Sequence, residues 1–330
     1  MRPFTSTFRT FVALAGITAL ALATAPSASA ASWKLDGASS TGLTGVSPHV
    51  ERTPRGDIVF RSDGPTGTAV ALCTDSGCTP LTFNAGGGPV TDFTVLTLPS
   101  GAKRGYFVDM NPNTQTKSVS SAPCLDADCL SIGARTPISP EASVPLTMRA
   151  WGVPDPVALP DGRVRVYMVE SPVEGHCTEK IASYISTDGV TFAKEPGWRL
   201  EGGYVDTEVL RAKDGDWVMV LADIGCTSDR NQKLFISESA DGLTWSKPQV
   251  LTGKDMGKLD PTGYEISPNT FRVYYATGAG SVGQFGPVER ATISIGTPSI
   301  ATTTTLNCKK GKKIKKVTAA KCPPGYKPVR

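Results

Sequence analysis

The heptapeptide SADGLTW at 239–245 decides the fold, because the chain writes nearly the same stretch, STDGVTF, at 186–192. Both follow the pattern Ser-x-Asp-Gly-x-Thr-aromatic, and both lie between short segments typical of β-strands. An Asp-Gly pair in that setting predicts a tight hairpin turn. The Asp side chain would accept hydrogen bonds from nearby backbone amides, and the aromatic ring would pack beneath. The duplication therefore indicates a repeated structural unit.

Five segments of the chain open such a unit, at intervals of about 50 residues. Each segment has a short strand, a turn containing Gly, Asp or Asn, and a second strand rich in β-branched and aromatic residues. The five segments are 46–60, 90–108, 154–169, 205–221 and 259–276. This pattern predicts an all-β fold, a five-bladed β-propeller of four-stranded blades.

The corner between the third and fourth strands has a second form in the first two units. Small cysteine loops, CTDSGC at 73–78 and CLDADC at 124–129, stand where units three and four have the Asp-Gly turn. Unit five shows no clear fourth strand after 288–296. We expect SWKLDG at 32–37 to supply that strand, since closing the ring removes the exposed sheet edges.

Residues 1–30 have the features of a secretory signal peptide. Arg2 and Arg9 precede a short apolar stretch at 11–24, and Ala28 and Ala30 form a cleavage pattern. We predict an exported chain, with a membrane anchor as the alternative. The predicted organisation is a signal peptide at 1–30, the propeller at 31–296, a Thr-rich linker at 297–307 and a Lys-rich, disulfide-closed tail at 308–330.

Charge is divided unevenly between the propeller and the tail. The tail holds nine Lys or Arg residues and no acid, so all 30 acidic residues lie before it, although the whole chain has a net charge of +4. An acidic body argues against a nucleic-acid partner. The tail would favour anionic wall polymers or phospholipid surfaces, unless it only aids solubility. We expect no transmembrane segment and a monomer.

Eight cysteines in an exported chain indicate disulfides, although eight cysteines allow 105 pairings. Two pairs are five residues apart, and two more pairs remain; zinc is disfavoured because paired Cys-x-x-Cys spacing is absent. The predicted pairs are Cys73 with Cys78, Cys124 with Cys129, Cys177 with Cys226, and Cys308 with Cys322. A bridge from Cys177 to Cys226 would join equivalent loops of neighbouring blades.

Two blade openings, DPVALPDGRVRVYM at 155–168 and DPTGYEISPNTFRVYY at 260–275, resemble those of the five-bladed glycoside hydrolases, the arabinanase and xylosidase group and its invertase relatives. The two Asp-Gly turns resemble the Asp-boxes of sialidase-type propellers. Together the resemblances cover most of 32–297. They specify a propeller more firmly than any one propeller family, because an Asp-box is a feature of the fold.

The resemblance implies that each innermost strand begins at a central funnel that binds carbohydrate. The residues taken to begin the five inner strands are Ser47, Asp92, Asp155, Asp206 and Asp260. Glu208 lies two residues after Asp206, hence on the same side of its strand. Both histidines, His49 and His176, map to the funnel face. An acidic ring of this kind permits a calcium ion in the channel, although we predict no dedicated metal site and no other cofactor.

Glycosidic cleavage needs one protonated and one ionised carboxyl group. The similar hydrolases use an Asp that opens blade one as base, an Asp that opens blade three as modulator, and a Glu further round as acid. Asp155 matches the modulator, Asp206 and Glu208 lie nearest the acid, and Ser47 replaces the base. The predicted catalytic residues are Asp155, Asp206, Glu208 and Asp260. The predicted substrate-binding residues are His49, Asp92, Trp151, His176, Tyr204 and Tyr264.

Three other functions stay open. In a sialidase, Arg61, Arg149 and Arg230 would bind the substrate carboxylate, and Tyr204 or Tyr264 would be the nucleophile. Sialidases usually have six blades, however. A non-catalytic glycan- or protein-binding propeller is favoured by Ser47 at the base position. A wall-associated structural protein would depend on the tail.

Overall fold

The structure is a computed structural model in which every strand assignment agrees with the all-β expectation. It describes residues 32–64, 67–148, 151–171, 177–211, 217–224, 232–252, 257–278, 286–296, 305–310, 313–318, 324 and 326–329. The predicted signal peptide, His176, Arg149 and Arg230 lie outside these residues. No helix in this part of the chain is long and apolar enough to cross a membrane.

Five antiparallel sheets form the blades of a propeller, which confirms the predicted fold. Blade one consists of β2 (Val46–Thr53), β3 (Gly56–Ser62), β4 (Thr68–Thr74) and β5 (Gly77–Leu81). Blade two consists of β6 (Val90–Thr97), β7 (Lys103–Asn111) and β8 (Thr116–Pro123), with β9 (Thr136–Pro137) and β10 (Ser143–Pro145) outside them. Blade three consists of β11 (Gly152–Ala158), β12 (Val164–Glu170) and β13 (Lys180–Ser186), edged by β14 (Ala193–Lys194) and β15 (Leu200–Glu201).

The last two blades complete the ring. Blade four consists of β16 (Tyr204–Arg211), β17 (Trp217–Asp223), β18 (Phe235–Ser239) and β19 (Gln249–Val250). Blade five consists of β20 (Lys258–Ser267), β21 (Thr270–Thr277) and β22 (Pro287–Gly296), closed by β1 (Ser32–Thr44). β1 pairs with β22 from Ser32 opposite Gly296 to Thr44 opposite Pro287. The predicted closure is confirmed, and the closing strand is longer than the 32–37 segment expected.

The core lies between neighbouring blades, because both faces of each sheet are covered. The second strands are therefore nearly continuous hydrophobic runs, and every residue of β17 is buried. Between blades one and two, Phe60, Phe93 and Phe107 belong to one cluster. Between blades two and three, Tyr106 and Phe192 belong to the next.

The two Asp-Gly turns have the hydrogen bonds expected from the sequence. In blade four, Asp241 Oδ1 accepts from the amides of Leu243 at 2.8 Å and Thr244 at 2.7 Å. Asp188 makes the matching bonds in blade three. The hydroxyl of Tyr167, from the preceding blade, donates to Gly242 O at 2.6 Å. Gly242 has φ of 69°, and a Cβ there would stand 2.8 Å from Tyr167 Oη, so only glycine suits the position.

Disulfides close the corresponding corners of blades one and two. The pairs Cys73–Cys78 and Cys124–Cys129 are formed, as predicted. Cys177 and Cys308 are also disulfide-bonded. Their predicted partners, Cys226 and Cys322, lie outside the described residues.

The basic tail contains a small sheet with the strand order β24-β23-β25. Its strands are β23 (Thr305–Lys310), β24 (Lys313–Thr318) and β25 (Lys327–Val329). The predicted linker at 297–307 is therefore too long, since its last three residues already pair with β24 and β25.

Candidate functional site

Each inner strand carries a β-bulge at the same place, near its first residue. One residue of every bulge has a positive φ, between 47° and 52°. These five residues, here called the left-handed ring, are Ser47, Asp92, Val153, Asp206 and Asp260. Asp tolerates this conformation better than most residues, whereas a β-branched valine is strained in it. Bulges re-aim side chains, and four of the five residues, all but Asp206, line one cavity among the inner strands.

In blade three the structure differs from the alignment of inner strands that was predicted from the sequence. Asp155 was taken as the residue equivalent to Asp206 and Asp260, but Val153 occupies that position. The error came from matching the Asp-Pro pair at 155–156 with the Asp-Pro pair at 260–261. In the structure Pro154, rather than Pro156, corresponds to Pro261. Carboxylates therefore recur at three positions of the left-handed ring, not at four.

Asp206 and Asp260 form a hydrogen-bonded carboxyl pair. Burial, followed by the charge of Asp260 and the hydrogen bond to it, raises the pKa of Asp206 well above its usual value. Burial also raises the pKa of Asp260 to about 6, and the nearby Asp92 adds to the shift. The amide of Ser47 donates to Asp260 Oδ2 at 2.9 Å, which favours the ionised form of Asp260. Of the pair, Asp260 therefore has the group that favours its ionised form most directly, and Asp206 is the carboxyl group whose pKa is raised by its neighbour.

Asp92 is the third carboxyl group of the left-handed ring. Burial raises its pKa, while a hydrogen bond with the Ser47 side chain and the charge of Lys117 act in the opposite direction. Lys117 belongs to β8, and burial lowers its pKa whereas Asp92 raises it. No sequence signal marked Lys117, because it comes from a third strand and only the tertiary structure brings it to the inner strands.

A cavity of about 20 Å³ lies among the inner strands, with room for about one water molecule. The Thr207 hydroxyl is buried beside it and has no hydrogen-bond partner within the described ranges. The cavity is lined by Ser47, Pro48, Asp92, Thr94, Val153, Pro154, Thr207, Glu208, Asp260 and Pro261. A sugar ring is too large for this space, so only a hydroxyl group of a bound sugar could reach it.

A second ring of side chains follows two residues after the left-handed ring. It consists of His49, Thr94, Asp155, Glu208 and Thr262, and each member bonds to the inner strand of the next blade. Four of the five accept from a backbone amide, as Asp155 Oδ2 does from Val209 N at 2.6 Å. Thr94 instead donates to Pro154 O at 3.1 Å. This second ring fastens the blades around the axis.

Asp155 and Glu208, two predicted catalytic residues, therefore have structural partners. Glu208 Oε1 accepts from Gly263 N at 3.0 Å and from the Thr262 hydroxyl at 3.2 Å. Burial raises the pKa of Glu208, and the charge of His49 and these bonds oppose the shift. Burial and the charge of Glu208 raise the pKa of Asp155 well above its usual value. Both acids are buried in the inner wall.

His49 is also held by the second ring. Its Nε2 accepts from Val95 N at 3.0 Å. Glu51 Oε1 lies 3.6 Å from the same Nε2, but Glu51 has a better partner in Lys103, 2.8 Å away. His49 is thus turned toward the next blade.

The three predicted aromatic platforms lie in different environments. Trp151 is buried in the core between blades two and three, with Lys117 Nζ 5.6 Å from its ring centroid, so it is a packing residue. Tyr264 was wrongly placed at the funnel, since its hydroxyl donates to Asp57 Oδ2 at 2.8 Å, at the other end of the inner strands. Tyr204 begins β16, is partly exposed, and meets Phe235 edge-on.

No group of three or more His, Cys, Asp or Glu side chains within the described part of the chain is arranged to hold a metal ion. The calcium ion that an acidic ring permits stays a prediction.

No family model matches the chain, and no curated protein matches it either. Solved protein structures, by contrast, do match this chain. The α-L-arabinofuranosidase PaAbf62A from Podospora anserina, in complex with cellotriose, has a TM-score of 0.58 at 11% identity over 79% of this chain and 96% of that one. A thermostable family-43 glycoside hydrolase has a TM-score of 0.55 at 13% identity, over 87% and 97%. An N-acetylgalactosamine deacetylase from F. plautii, bound to blood group B trisaccharide, has 0.54 at 13%, over 78% and 93%.

The chain has the fold of the arabinanase-type five-bladed propellers. At these identities the likeness concerns the fold alone. The similar structures nevertheless include several glycoside hydrolases, among them an endo-arabinase from Bacteroides thetaiotaomicron.

Proposed function

We propose that this chain is an exported carbohydrate-active propeller that binds carbohydrate at its central funnel and hydrolyses it there. The observation that carries the proposal is the Asp206–Asp260 pair of neighbouring carboxyl groups, both with raised pKa values, beside a third carboxyl group, Asp92. Buried acids with separated pKa values are what acid–base catalysis requires. The fold shared with proteins solved in complex with oligosaccharides supports carbohydrate as the ligand.

The roles follow from the protonation states. Asp206, whose pKa is raised well above its usual value, is the candidate acid, which would donate to the leaving oxygen as the glycosidic bond breaks. Asp260, which is ionised above a pH of about 6, accepts a hydrogen bond from the Asp206 carboxyl group when no substrate is bound. Asp92 is the candidate for the second carboxylate, which would activate water for attack. Asp155 and Glu208 then act as positioning residues, because their oxygens hold the next inner strand.

A binding propeller without catalysis is the second candidate. It is favoured by Ser47, which stands in blade one where the similar hydrolases have an Asp base, and by the amide partners of Asp155 and Glu208. In this case the acids of the left-handed ring, of which Asp92 and Asp206 are partly exposed, would accept hydrogen bonds from sugar hydroxyls.

Hydrolysis of a panel of aryl glycosides and of plant and bacterial polysaccharides separates the two candidates. Residues 31–330 would be compared with Asp206→Asn and Asp92→Asn, with and without added calcium. Asp161→Asn is the matched control, since Asp161 is exposed in a turn far from the ring and pairs with Arg163.

We expect turnover that either ring substitution reduces by at least about a hundredfold, as loss of a general acid or base does, while the control keeps full activity. Glycan-array binding without turnover would support the binding candidate. If the protein shows neither glycan binding nor turnover, both candidate functions are refuted.

Export and attachment to the cell surface are the second part of the proposal. The disulfides suit an oxidising compartment, and the tail presents lysines on a small sheet. Removing residues 306–330 should release the protein from the cell surface into the medium. Equal retention of the full and truncated chains would limit the tail to a solubilising role.

A further inference from the structure

A larger cavity, of about 340 Å³, lies between blades one and five. It is reached from the end of the inner strands opposite to the left-handed ring, where the β2–β3 turn and the disulfide corner at Cys73 meet Tyr264. Its volume is within the range of small-molecule sites. We call it the arginine pocket, because its charged lining residues are Arg52, Arg55, Arg272, Arg290, Asp57 and Asp75.

Arg55 is paired with Asp128, outside the pocket, whereas the two aspartates of the lining do little to neutralise the other three arginines. Asp57 is occupied by tyrosines: Tyr264 Oη donates to its Oδ2 at 2.8 Å and Tyr274 Oη at 2.5 Å. Asp75 is fully exposed and comes no closer than 3.8 Å to Arg290. At that distance and exposure an ion pair contributes little.

Arg52 and Arg272 have no carboxylate at ion-pair distance among the described residues. The guanidinium of Arg52 lies 5.3 Å from the centroid of the Tyr264 ring, over its face. Arg272 has a buried Nε atom with no hydrogen-bond partner within the described ranges. An unpartnered buried donor on a charged group is unfavourable, so the arrangement indicates a ligand that supplies the missing acceptor.

The frame of the pocket is rigid before any ligand arrives. The Cys73–Cys78 disulfide fixes one wall, and Arg290 Nη1 donates to Thr74 O at 3.4 Å across the junction of the two blades. The opposite wall is β22, which is paired on both sides, with β21 and β1. A preformed cationic cavity loses little conformational entropy on binding an anion.

We propose that the arginine pocket is a binding site for a phosphate group, separate from the funnel and independent of the function proposed for it. Guanidinium groups bind phosphate through paired N–H donors. Arg52, Arg272 and Arg290 approach from three strands and can donate to several oxygens of a tetrahedral dianion, whereas a planar carboxylate offers only two. Inorganic phosphate, a phosphate monoester and a phosphate-containing polymer all carry the required group.

The junction of blades three and four provides a matched control. A cavity of about 430 Å³ lies there, lined by Arg163 and Arg165 among others. Arg163 pairs with Asp161 at 2.7 Å, and Arg165 pairs with Glu195 at 2.7 Å. Each arginine of this cavity has its own carboxylate, so we expect it to bind no phosphate.

The test is isothermal titration calorimetry of the full mature chain with inorganic phosphate, glycerol phosphate, poly(glycerol phosphate) and glucuronate. The variants are Arg272→Gln, Arg272→Lys and Arg52→Gln, with Arg163→Gln as control. Arg52 is exposed, so its substitution preserves the fold even if Arg272→Gln does not. Circular dichroism and thermal unfolding without ligand check the fold of each variant.

We expect at least one phosphate-bearing probe to bind, and Arg272→Gln and Arg52→Gln to weaken it by about tenfold each, as loss of a charge-assisted hydrogen bond does. Arg272→Lys should fall between the wild type and Arg272→Gln, and Arg163→Gln should leave binding unchanged. The relative affinities of the three phosphate probes identify the source of the group. Absence of binding by all three, tighter binding of glucuronate, or an equal loss in Arg163→Gln would overturn the proposal.

Discussion

Asp241, in the turn of blade four, and Asp260, in the left-handed ring of blade five, carry the same side chain but titrate in opposite directions. Backbone amides of Thr244 and Leu243 lower the pKa of Asp241 to about 2. Burial beside other carboxyl groups raises the pKa of Asp260 to about 6. The Asp of the repeated turn is stabilised as an anion by the local backbone, whereas the ring Asp is held where the anion is disfavoured.

The difference separates an acid that maintains the fold from an acid available for chemistry. Asp241 and its equivalent Asp188 cap the turns between third and fourth strands, and both have lowered pKa values. Asp206 and Asp260 lie beside one another, and burial raises the pKa of both. Acids with raised pKa values in a central cavity are functional candidates, whereas turn caps are features of architecture.

The two kinds of acid also affect stability in opposite pH ranges. A raised pKa favours folding below the pKa of the unfolded chain, and this contribution is lost as the pH rises, for Asp260 through about 6. A lowered pKa favours folding above the unfolded value, and this contribution is lost as the pH falls, for Asp241 through about 2. Four predictions test the contrast, from the largest effect to the smallest.

Asp206→Asn should increase the free energy of unfolding at about pH 8 and change it little at about pH 4, because the raised pKa of Asp206 disfavours the folded state only where the unfolded acid ionises. The amide can donate to Asp260 as the protonated acid does, but it needs no proton from solution. Urea unfolding at the two pH values measures the effect. Equal destabilisation at both pH values would contradict the raised pKa of Asp206.

Asp155→Ala should lower the free energy of unfolding by about 2 kcal/mol, since Val209 N loses its buried acceptor. Asp155→Asn keeps an oxygen for that amide and should cost less than about 1 kcal/mol at about pH 4, where the raised pKa of Asp155 has little effect on stability. Denaturant unfolding of both variants, beside the exposed control Asp161→Ala, distinguishes a positioning role from a charge effect. If both substitutions of Asp155 lowered stability equally, the hydrogen bond from Val209 N would not contribute to stability.

Tyr167→Phe should lower stability by about 1 kcal/mol, because the hydroxyl that donates to Gly242 O is removed. Tyr106→Phe should have the same effect, since Tyr106 Oη donates to Gly189 O at 2.7 Å in the equivalent turn. Thermal unfolding of both variants tests whether the two turns are joined to the preceding blades by the same device. A loss in one variant alone would show that the two turns differ.

Asp241→Asn should have the smallest effect, a loss below about 1 kcal/mol near neutral pH, because the turn is solvated and its interactions are screened. The loss should shrink as the pH falls toward about 2, where the wild-type carboxyl also becomes neutral. Unfolding followed across the acid range measures it. A loss that grew as the pH fell would contradict the lowered pKa of Asp241.

Repetition along the chain was enough to predict the five blades. Strand periodicity, the duplicated turn at Asp188 and Asp241, and the cysteine loops are all local signals. Each is read from residues that are neighbours in sequence and stay neighbours in the fold. The closing strand could be predicted because the fifth unit lacked a fourth strand, which leaves an unpaired edge.

The site was predicted less well, because it depends on register. Asp155 was assigned to the left-handed ring from its Asp-Pro pair, yet the bulge of blade three places Val153 there. A shift of two residues keeps a side chain on the same face of a strand, so alternation of polar and apolar residues could not expose the error. Only the pairing of β11 with β12 fixed the position of the bulge.

What the sequence determined by itself was the kind and number of blades and the turns that cap them, since these rest on local propensity and repetition. The tertiary structure decided which acids meet. Asp206 and Asp260 come from different blades, as do Asp155 and Val209, and Arg52 and Arg272. Closing the ring brings these distant residues together, and burial there sets the charge that each side chain carries.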